Sequence, residues 1–488
     1  MDLRLLNNLP IENLTKENDY LGIMEKGDLI KLFLKGNQEQ FSEIKMFALY
    51  GEWGSGKSTL MKYLQKELKQ DFNTFFFDTW EFETDNNLSL SLLEFLISET
   101  TSAREEMAGE LIGVAEKLLK GFTKSIRISF PGLSIDGKTL TEELESEKEK
   151  TFLQLKKEFK TEFVRFEDRI KAQTNKEFSI VFIDDLDRCE PQNVLNLLSA
   201  LKLFFTYGQR TIFFCGVDKK AINEAVKSKY NEVVKANEYL EKIFDVSFSM
   251  PQGNNIDRLI GKYFSDTNID NPKISHKWPI AISNFFHIIE FTNPRRLKKV
   301  LNKFQILRSI RNSTNLSSIV DKIPNINLYE GDSSSFFETI LTLYFIILHE
   351  FYPDVFGTIF NLEKKSENYQ KAMYDKSRYR DSTVPNKDEV IGYFSNSYLD
   401  RKINSINKNQ PDEVNSFSMT ISPINLKVTD FYSLLHGEHF EKTIPESKSI
   451  DYLFYKYYIT NQYNIFISCP NLSRVTLNNL KSMVSHLL

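Results

Sequence analysis

Cysteine is scarce in this sequence. The 488 residues include only Cys189, Cys215 and Cys469, which are odd in number and far apart along the chain. This argues against a disulfide framework, and no pair has the spacing of zinc ligands. Low cysteine content is typical of a reducing compartment, so we expect a cytoplasmic protein.

The sequence also lacks a secretory leader and a long apolar run. Residues 1–19 carry acids and amides where a signal peptide would have an apolar stretch. No stretch reaches the ~18 uncharged apolar residues expected of a membrane span. The closest one, Phe336 to Phe351, is interrupted by Glu338, His349 and Glu350, and it predicts a buried helix. We therefore expect no membrane partner.

A basic excess is missing as well. The chain has 62 Lys and Arg against 66 Asp and Glu, for a net charge of −4. A dedicated nucleic-acid binder usually carries a surplus of positive charge that neutralises phosphates. The overall charge therefore does not indicate a nucleic-acid partner, although it leaves a local basic patch open.

Short apolar runs alternate with amphipathic helices in the first half of the chain. Strands are predicted at Met46–Tyr50, Thr74–Phe77, Ser179–Ile183, Thr211–Val217 and Asp245–Met250. Strands that alternate with helices predict an α/β fold with a mostly parallel sheet and helices on both faces. We assign this core to residues 1–255.

The rest of the chain is predicted to be mostly helical. A helical insert spans about 90–175, and its apolar residues between Phe152 and Ile170 step by threes and fours. This favours a helix packed on the same domain over a coiled-coil surface for a partner. Residues 256–311 are predicted to be wholly helical, and a segment rich in Asn and Ser then begins a C-terminal domain, 312–488, of unknown role.

The sequence GEWGSGKS, from Gly51 to Ser58, matches the P-loop pattern between a predicted strand and a predicted helix. Glycines allow successive N–H groups to point at phosphate, and the helix N-terminus adds partial positive charge. Lys57 would hold the β- and γ-phosphates, Ser58 would bind Mg²⁺, and Thr59 would face the α-phosphate. The residues expected to contact the nucleotide are Gly51, Trp53, Gly54, Ser55, Gly56, Lys57, Ser58 and Thr59.

The second motif is the sequence SIVFIDDLDR, from Ser179 to Arg188, in which acids follow the most strand-like run of the chain. An apolar strand that ends in an acid is the Walker B arrangement, and Mg²⁺ is held by one or two carboxylates together with phosphates. We expect Asp184 to hold the metal ion and Asp185 to orient or polarise the attacking water. For Asp187 and Arg188, a structural salt bridge is the alternative to a role at the nucleotide site.

Two further positions have alternative interpretations. Asp218 follows the fourth strand, where it would either face the γ-phosphate or cap the next helix. Arg295 and Arg296, in the sequence NPRR, would either reach the phosphates from a lid or simply lie at a helix start that contains Pro294.

These segments together resemble the KAP family of P-loop NTPases over about residues 17–305. The resemblance rests on NDYLGIMEKGDLIKLFL, GEWGSGKST, FDTWEFE, IDDLDRCEP, GVD, YLEKIFDVSFSMP and NPRRLKKVLN, in that order. It implies a sheet of the additional-strand class and a helical lid at 256–311. It also implies that Tyr20 lies near the adenine of ATP and that Arg295 or Arg296 belongs to the lid.

The family's membrane helices are not predicted here, because the insert at about 90–175 is hydrophilic. Our first hypothesis is an ATP-driven switch that forms an oligomer. A full nucleotide site is joined to a tail with no catalytic motif of its own, so we expect an effector protein partner. The resemblance implies a role in bacterial defence against phages or plasmids. Two alternatives stay open. One is a motor or loader stimulated by nucleic acid, with Lys298, Lys299, Lys303, Arg308 and Phe304 as its contacts. The other is an assembly scaffold that hydrolyses ATP slowly.

Overall fold

A computed structural model describes residues 5–85, 87–100, 106–125, 151–230, 234–251, 256–270, 277–312, 330, 333–358, 450, 453–454, 457, 481–485 and 488. The chain divides into two compact units. The first unit comprises residues 9–254, and the second comprises residues 1–8 and 255–488. Each unit is described by itself.

Five parallel strands form the sheet of the first unit. They are β1 (Met46–Tyr50), β2 (Asn73–Asp78), β3 (Ser179–Asp184), β4 (Thr211–Val217) and β5 (Val246–Ser249), in the spatial order β2-β3-β4-β1-β5. Every residue of β3 and β4 is buried, which explains why these strands read as continuous apolar runs. The predicted strands are confirmed, with ends that differ by one residue at most.

The order of the strands places β4 between β1, which leads into the P-loop, and β3, which ends at Asp184. Tyr50 pairs with Val217 across β1 and β4, and Asp78 pairs with Asp184 across β2 and β3. The carboxyl ends of these strands therefore share one edge of the sheet. This is the additional-strand arrangement, so the predicted fold class is confirmed.

Helices cover both faces of this sheet. The helices of the first unit are α1 (Ile23–Gly36), α2 (Lys57–Leu68), α3 (Leu88–Glu99), α4 (Glu106–Ser125), α5 (Phe152–Thr174), α6 (Pro191–Leu203), α7 (Lys219–Tyr230) and α8 (Val234–Ile243). Successive strand residues point to opposite faces. Phe47 and Leu49 accordingly pack with α1 and α2, while Met46 and Ala48 share a core with α3 to α8.

Helix α5 shows that the apolar stripe of the insert is part of this core. Leu155, Phe159 and Phe163 are buried, and the rings of Phe159 and Phe163 meet the ring of Phe205 at 5.4 and 5.5 Å between centroids. The prediction that this helix packs on its own domain is confirmed.

The second unit is helical, with α9 (Asp257–Ile260), α10 (Trp278–Ile288), α11 (Pro294–Asn312), α12 (Ser333–Phe351) and α13 (Pro353–Thr358). The prediction that 256–311 is wholly helical is wrong. Turns follow α9, an antiparallel bridge joins Asn268 to Lys277, and Glu290 with φ 54° ends α10.

Helix α12 contains the longest apolar run of the sequence, and most of its described side chains are buried in the second unit. Across the described parts of the chain, none of the helices combines the length and apolar character needed to cross a membrane. Most of the predicted C-terminal domain, residues 359–449 among them, lies outside the described residues.

Candidate nucleotide-binding site

The loop between β1 and α2 has a backbone that requires glycine at three positions. Gly54 and Gly56 have φ of 81° and 98°, in the left-handed region that side chains disfavour. A Cβ on Gly51 would lie 2.5 Å from Ser55 Oγ and 2.7 Å from Met250 Cγ. The conformation is therefore closed to most other residues at these three positions.

Lys57 begins α2 and turns its side chain back into the loop. Its ammonium donates hydrogen bonds to the backbone oxygens of Gly51, at 2.9 Å, and Glu52, at 3.2 Å. The residue is only 6% exposed. The charge of Lys57 is thus concentrated inside the loop, where the sequence predicts the phosphates.

The leader before α1 and the first residue of α1 pack on the P-loop and on the start of α2. The backbone N–H of Ile11 donates to Thr59 Oγ1 at 3.1 Å, and side-chain atoms of Leu21 and Ile23 lie within 4 Å of a Cβ built on Gly56. Tyr20 precedes Leu21 and is half-buried. The structure thus brings the segment that contains Tyr20 to the P-loop, while its contact with adenine stays a prediction.

Asp184 ends β3 and is the most deeply buried acid of the site, at 3% exposure. Burial raises the pKa of its carboxyl group, and the neighbouring Ser58 hydroxyl opposes that rise. Its Oδ1 atom has no hydrogen-bond partner among the described residues. A buried acceptor without a partner beside a Ser hydroxyl fits the ligand set of a magnesium ion, so the predicted metal ligands lie together.

Gly216 of β4 makes room for this carboxylate. A Cβ on Gly216 would lie 2.9 Å from Asp184 Oδ1 and 3.0 Å from Met61 Sδ. Sequence reasoning did not assign a role to Gly216. The sequence signal for this role was a glycine near the end of a buried strand, because glycine there often marks a close approach of another group.

Asp185 is held in an unusual conformation next to Asp184. Its φ is 55°, a region that non-glycine residues seldom adopt and that is concentrated at functional sites. Burial and the neighbouring Asp184 raise the pKa of Asp185 to about 6, while Arg188 acts against that rise. Its Oδ2 atom lies 3.3 Å from Arg188 Nε. Arg188 therefore forms a salt bridge in this segment, but with Asp185 rather than with Asp187 as the sequence suggested.

The end of β2 contributes residues that sequence reasoning missed. Arg188 also lies over the ring of Trp80, with its guanidinium carbon 4.6 Å from the centroid. The Thr79 hydroxyl donates to the backbone oxygen of Asp184 at 2.7 Å, and Asp78 Oδ1 accepts from the Trp80 N–H at 3.1 Å. Polar residues after a second strand were the signal that would have identified them.

Asp218 follows β4 and accepts two backbone hydrogen bonds. Its Oδ1 atom accepts from Lys220 N at 2.9 Å, as expected of a residue that caps α7. Its Oδ2 atom accepts from Trp53 N, in the P-loop, at 2.8 Å. The structure brings Asp218 to the loop and shows the helix-cap interaction, whereas contact with the γ-phosphate stays a prediction.

Arg295 and Arg296 lie in the second unit, in the first turn of α11. Their backbone N–H groups donate to Asn293 Oδ1 at 3.1 and 3.2 Å, and the Arg296 guanidinium lies 5.5 Å from the ring centroid of Phe351. These contacts match the helix-start interpretation. That either arginine reaches the phosphates stays a prediction.

The sheet order and the P-loop define an additional-strand P-loop NTPase domain. The chain belongs to the KAP family, because the model of the KAP family P-loop domain matches residues 33–311. That range contains the P-loop, Asp184, Asp185 and the first turn of α11.

Two relatives come from the archaeon Methanocaldococcus jannaschii. The uncharacterized protein MJ0181 is 42% identical over 117 residues, which cover 23% of this chain and 44% of that protein. The uncharacterized protein MJ0182 is 30% identical over 172 residues, which cover 29% of this chain and 88% of that protein. This chain therefore matches less than half the length of the first relative. Both relatives are archaeal, so they do not support the bacterial origin that the resemblance implied.

Two solved structures are similar over much of the chain at low identity. The Walker-type ATPase PABY2304 of Pyrococcus abyssi has a TM-score of 0.33 and 13% identity, covering 75% of this chain and 80% of that one. The ORC2 protein of Aeropyrum pernix, in ADPNP and ADP complexes, has a TM-score of 0.29 and 12% identity, covering 98% and 88%. Likeness at this level carries no inference about ligands of this chain.

Proposed function

We propose that this protein binds ATP with Mg²⁺ and hydrolyses it at the carboxyl edge of the sheet. One observation carries the proposal: the buried Asp184 Oδ1 has no partner in the described chain, and it belongs to a carboxylate next to the Ser58 hydroxyl. Ser58 is adjacent to Lys57, whose ammonium lies inside the P-loop. The proposed metal ligand and the proposed phosphate-binding cation are therefore adjacent.

Each residue has a role that follows from its chemistry. The P-loop N–H groups would hold the α- and β-phosphates, Lys57 would reach the β- and γ-phosphates, and Ser58 and Asp184 would hold the metal ion. When bound, Mg²⁺ neutralises charge on the phosphates. Asp185 would orient the attacking water and accept its proton, a role that a carboxylate with a raised pKa suits. The preference for ATP over GTP is a family inference that places adenine by Tyr20.

The direct test is ATP turnover by the purified full chain, with Lys57→Ala as the loss variant. Lys69→Ala is the matched control, because Lys69 is exposed at the other end of α2. We expect Lys57→Ala to abolish turnover and Lys69→Ala to retain it. Turnover that survives Lys57→Ala would contradict the proposed site.

We further propose that hydrolysis drives a switch, in which different contacts to the γ-phosphate bias two conformations of an oligomer that acts with an effector protein. Arg295 and Arg296 are the candidate lid contacts. Light scattering with ATP or ADP tests this step, and we expect ATP to change the molecular mass.

The defence role rests on the family resemblance alone. Its test is phage plating with wild type and Lys57→Ala, where equal plating would contradict it.

The contacts of the second unit do not favour the nucleic-acid motor. Lys299 and Lys303 both pair with Glu350, and Arg308 pairs with Glu330 at 3.1 Å. Lys298 donates to a backbone oxygen at 3.2 Å, and Phe304 is fully buried. This set therefore offers neither an open basic groove nor a stacking ring. Turnover that rises with DNA at low salt would nevertheless support the motor.

The slow scaffold differs from the switch in the role of Asp185. If Asp185 polarises the attacking water, Asp185→Ala should reduce kcat by about 100-fold or more while ATP binding persists. Tight binding with negligible turnover already in the wild type would support the scaffold.

A further inference from the structure

Asp218 connects the P-loop to helix α7 through both of its carboxylate oxygens. One oxygen accepts from Lys220 N at 2.9 Å and the other from Trp53 N at 2.8 Å, although Trp53 and Asp218 are 165 residues apart in sequence. A residue that only caps a helix would need the first of these bonds and not the second. The second bond fixes the backbone of the P-loop itself.

The chemistry of the side chain also bears on its role. An ionised carboxylate accepts hydrogen bonds but has none to donate, and phosphate oxygens also only accept. Direct contact between Asp218 and a γ-phosphate oxygen would therefore place two like charges together without a hydrogen bond. Two backbone N–H groups, by contrast, suit the two carboxylate oxygens well.

We propose that Asp218 is a positioning residue, which holds the P-loop in its phosphate-binding conformation through the Trp53 N–H, rather than a residue that touches phosphate. The inference rests on the proposed nucleotide binding. Holding this N–H keeps the loop backbone ordered before the ligand arrives, so less ordering is left to oppose binding.

Other contacts join the same two segments. The Lys220 ammonium lies 2.5 Å from Glu52 Oε1, and Lys219 lies over the ring of Tyr50 at 4.0 Å from the centroid. The N–H of Gly51 donates to the backbone oxygen of Val217 at 3.1 Å. Among these contacts between the P-loop and the start of α7, Asp218 is the side chain that accepts from backbone N–H groups of both segments.

A positioning role and a phosphate-contact role predict different kinetics. The P-loop N–H groups hold the α- and β-phosphates, which ATP and ADP share, so an anchor of the loop backbone should affect both nucleotides equally and should act on KM. A residue that contacts the γ-phosphate should instead affect ATP more than ADP and should act on kcat. The ratio of the two affinities therefore separates the roles.

Two substitutions separate the anchor from the helix cap. Asp218→Asn keeps a good helix cap, but it replaces one acceptor oxygen by an NH₂ group that opposes the Trp53 N–H. Asp218→Ala removes both interactions. Asn87→Ala is the matched control for the loss of a cap, because Asn87 Oδ1 accepts from Ser89 N and Leu90 N at the start of α3, outside the site.

The experiment combines three measurements on the full chain. Calorimetric titration with ADP and with a non-hydrolysable ATP analogue gives the two affinities, and ATPase kinetics and thermal unfolding are measured beside it. For Asp218→Asn we expect about 10-fold weaker binding of both nucleotides, kcat within about 2-fold of wild type, and a Tm close to wild type. Asp218→Ala should weaken binding similarly and also lower Tm, whereas Asn87→Ala should lower Tm alone.

Selective loss of the ATP analogue, or a fall in kcat at unchanged KM, would overturn the inference in favour of phosphate contact. Unchanged binding in both Asp218 variants would reduce the residue to a helix cap. Failure of the wild type to bind either nucleotide would instead refute the proposed function, so the two failures are distinguishable.

Discussion

Replacement of Gly216 by Ala tests whether the position of Asp184 controls the metal site. Gly216 lies in β4 and its φ is not in the left-handed region, so alanine suits the backbone. The new Cβ would lie 2.9 Å from Asp184 Oδ1, against the 3.4 Å at which ordinary contact begins. The carboxylate oxygen must therefore retreat by about 0.5 Å.

The size of the effect follows from this displacement. A misplacement of ~1 Å in a catalytic site costs about 100-fold in rate, so half of that distance corresponds to about 10-fold in kcat/KM. The effect on stability is of similar size. Glycine in a strand costs about 0.5–1 kcal/mol relative to alanine, while overpacking against Met61 costs about 1–3 kcal/mol. We therefore expect the free energy of unfolding to fall by about 0–2.5 kcal/mol.

The assay is phosphate release as a function of Mg²⁺ concentration at fixed ATP. Gly216→Ala should need a higher Mg²⁺ concentration for half-maximal rate, and Gly36→Ala is the matched control because a Cβ there meets nothing within 4 Å. The double variant Met61→Ala/Gly216→Ala removes the contact of the new Cβ with Met61 Sδ and keeps its contact with Asp184 Oδ1. Wild-type Mg²⁺ dependence in Gly216→Ala, or full recovery in the double variant, would refute the reasoning about Asp184.

Two further predictions concern the edges of the sheet. Trp80→Leu removes the ring under Arg188, and an exposed cation–π contact of about 0.5–1 kcal/mol corresponds to a kcat about 2- to 5-fold lower; an unchanged kcat would mean that Asp185 alone holds Arg188. Asp245→Ala removes the acceptor for two N–H groups at the start of β1 and the partner of Lys202, so urea unfolding at pH 7 should show a loss of about 1–3 kcal/mol. Burial raises the pKa of Asp245, but Lys202 and the N–H groups hold it below its usual value. Its contribution is therefore present above about pH 4 and lost as pH falls through the folded-state pKa, so the gap between wild type and variant should close in acid, and a constant gap would contradict this.

The sheet could be predicted because buried parallel strands are written in the sequence as apolar runs. The run at Thr211–Val217 contains no charged residue, and the structure makes all of it one buried strand. The P-loop could be predicted for a related reason, since its glycines and Lys57 are close in sequence. Local patterns therefore located the components of the site, including Asp184 at a strand end.

Relations between distant segments could not be read in the same way. The Trp53–Asp218 and Thr79–Asp184 hydrogen bonds depend on which strands are neighbours and on their register, and periodicity does not report either. The turns between α9 and α10 were missed because an apolar residue every few positions also fits a loop that packs on a core. For Asp218, the sequence shows only that the residue follows a strand. This position alone does not distinguish its hydrogen bond from Lys220 N from its hydrogen bond from Trp53 N.

Several carboxylates lie at the carboxyl edge of the sheet, where their negative charge would repel a polyphosphate. The contacts of each acid show how this charge is offset. Asp78 accepts from the Trp80 N–H, Asp185 pairs with Arg188, and Asp218 accepts from two N–H groups. These partners offset the charge of three carboxylates. Within the described chain, the carboxylate at this edge with a buried oxygen left without a partner is that of Asp184. In the proposed function this one acid holds a cation, and that cation with Lys57 would supply the positive charge that phosphates need.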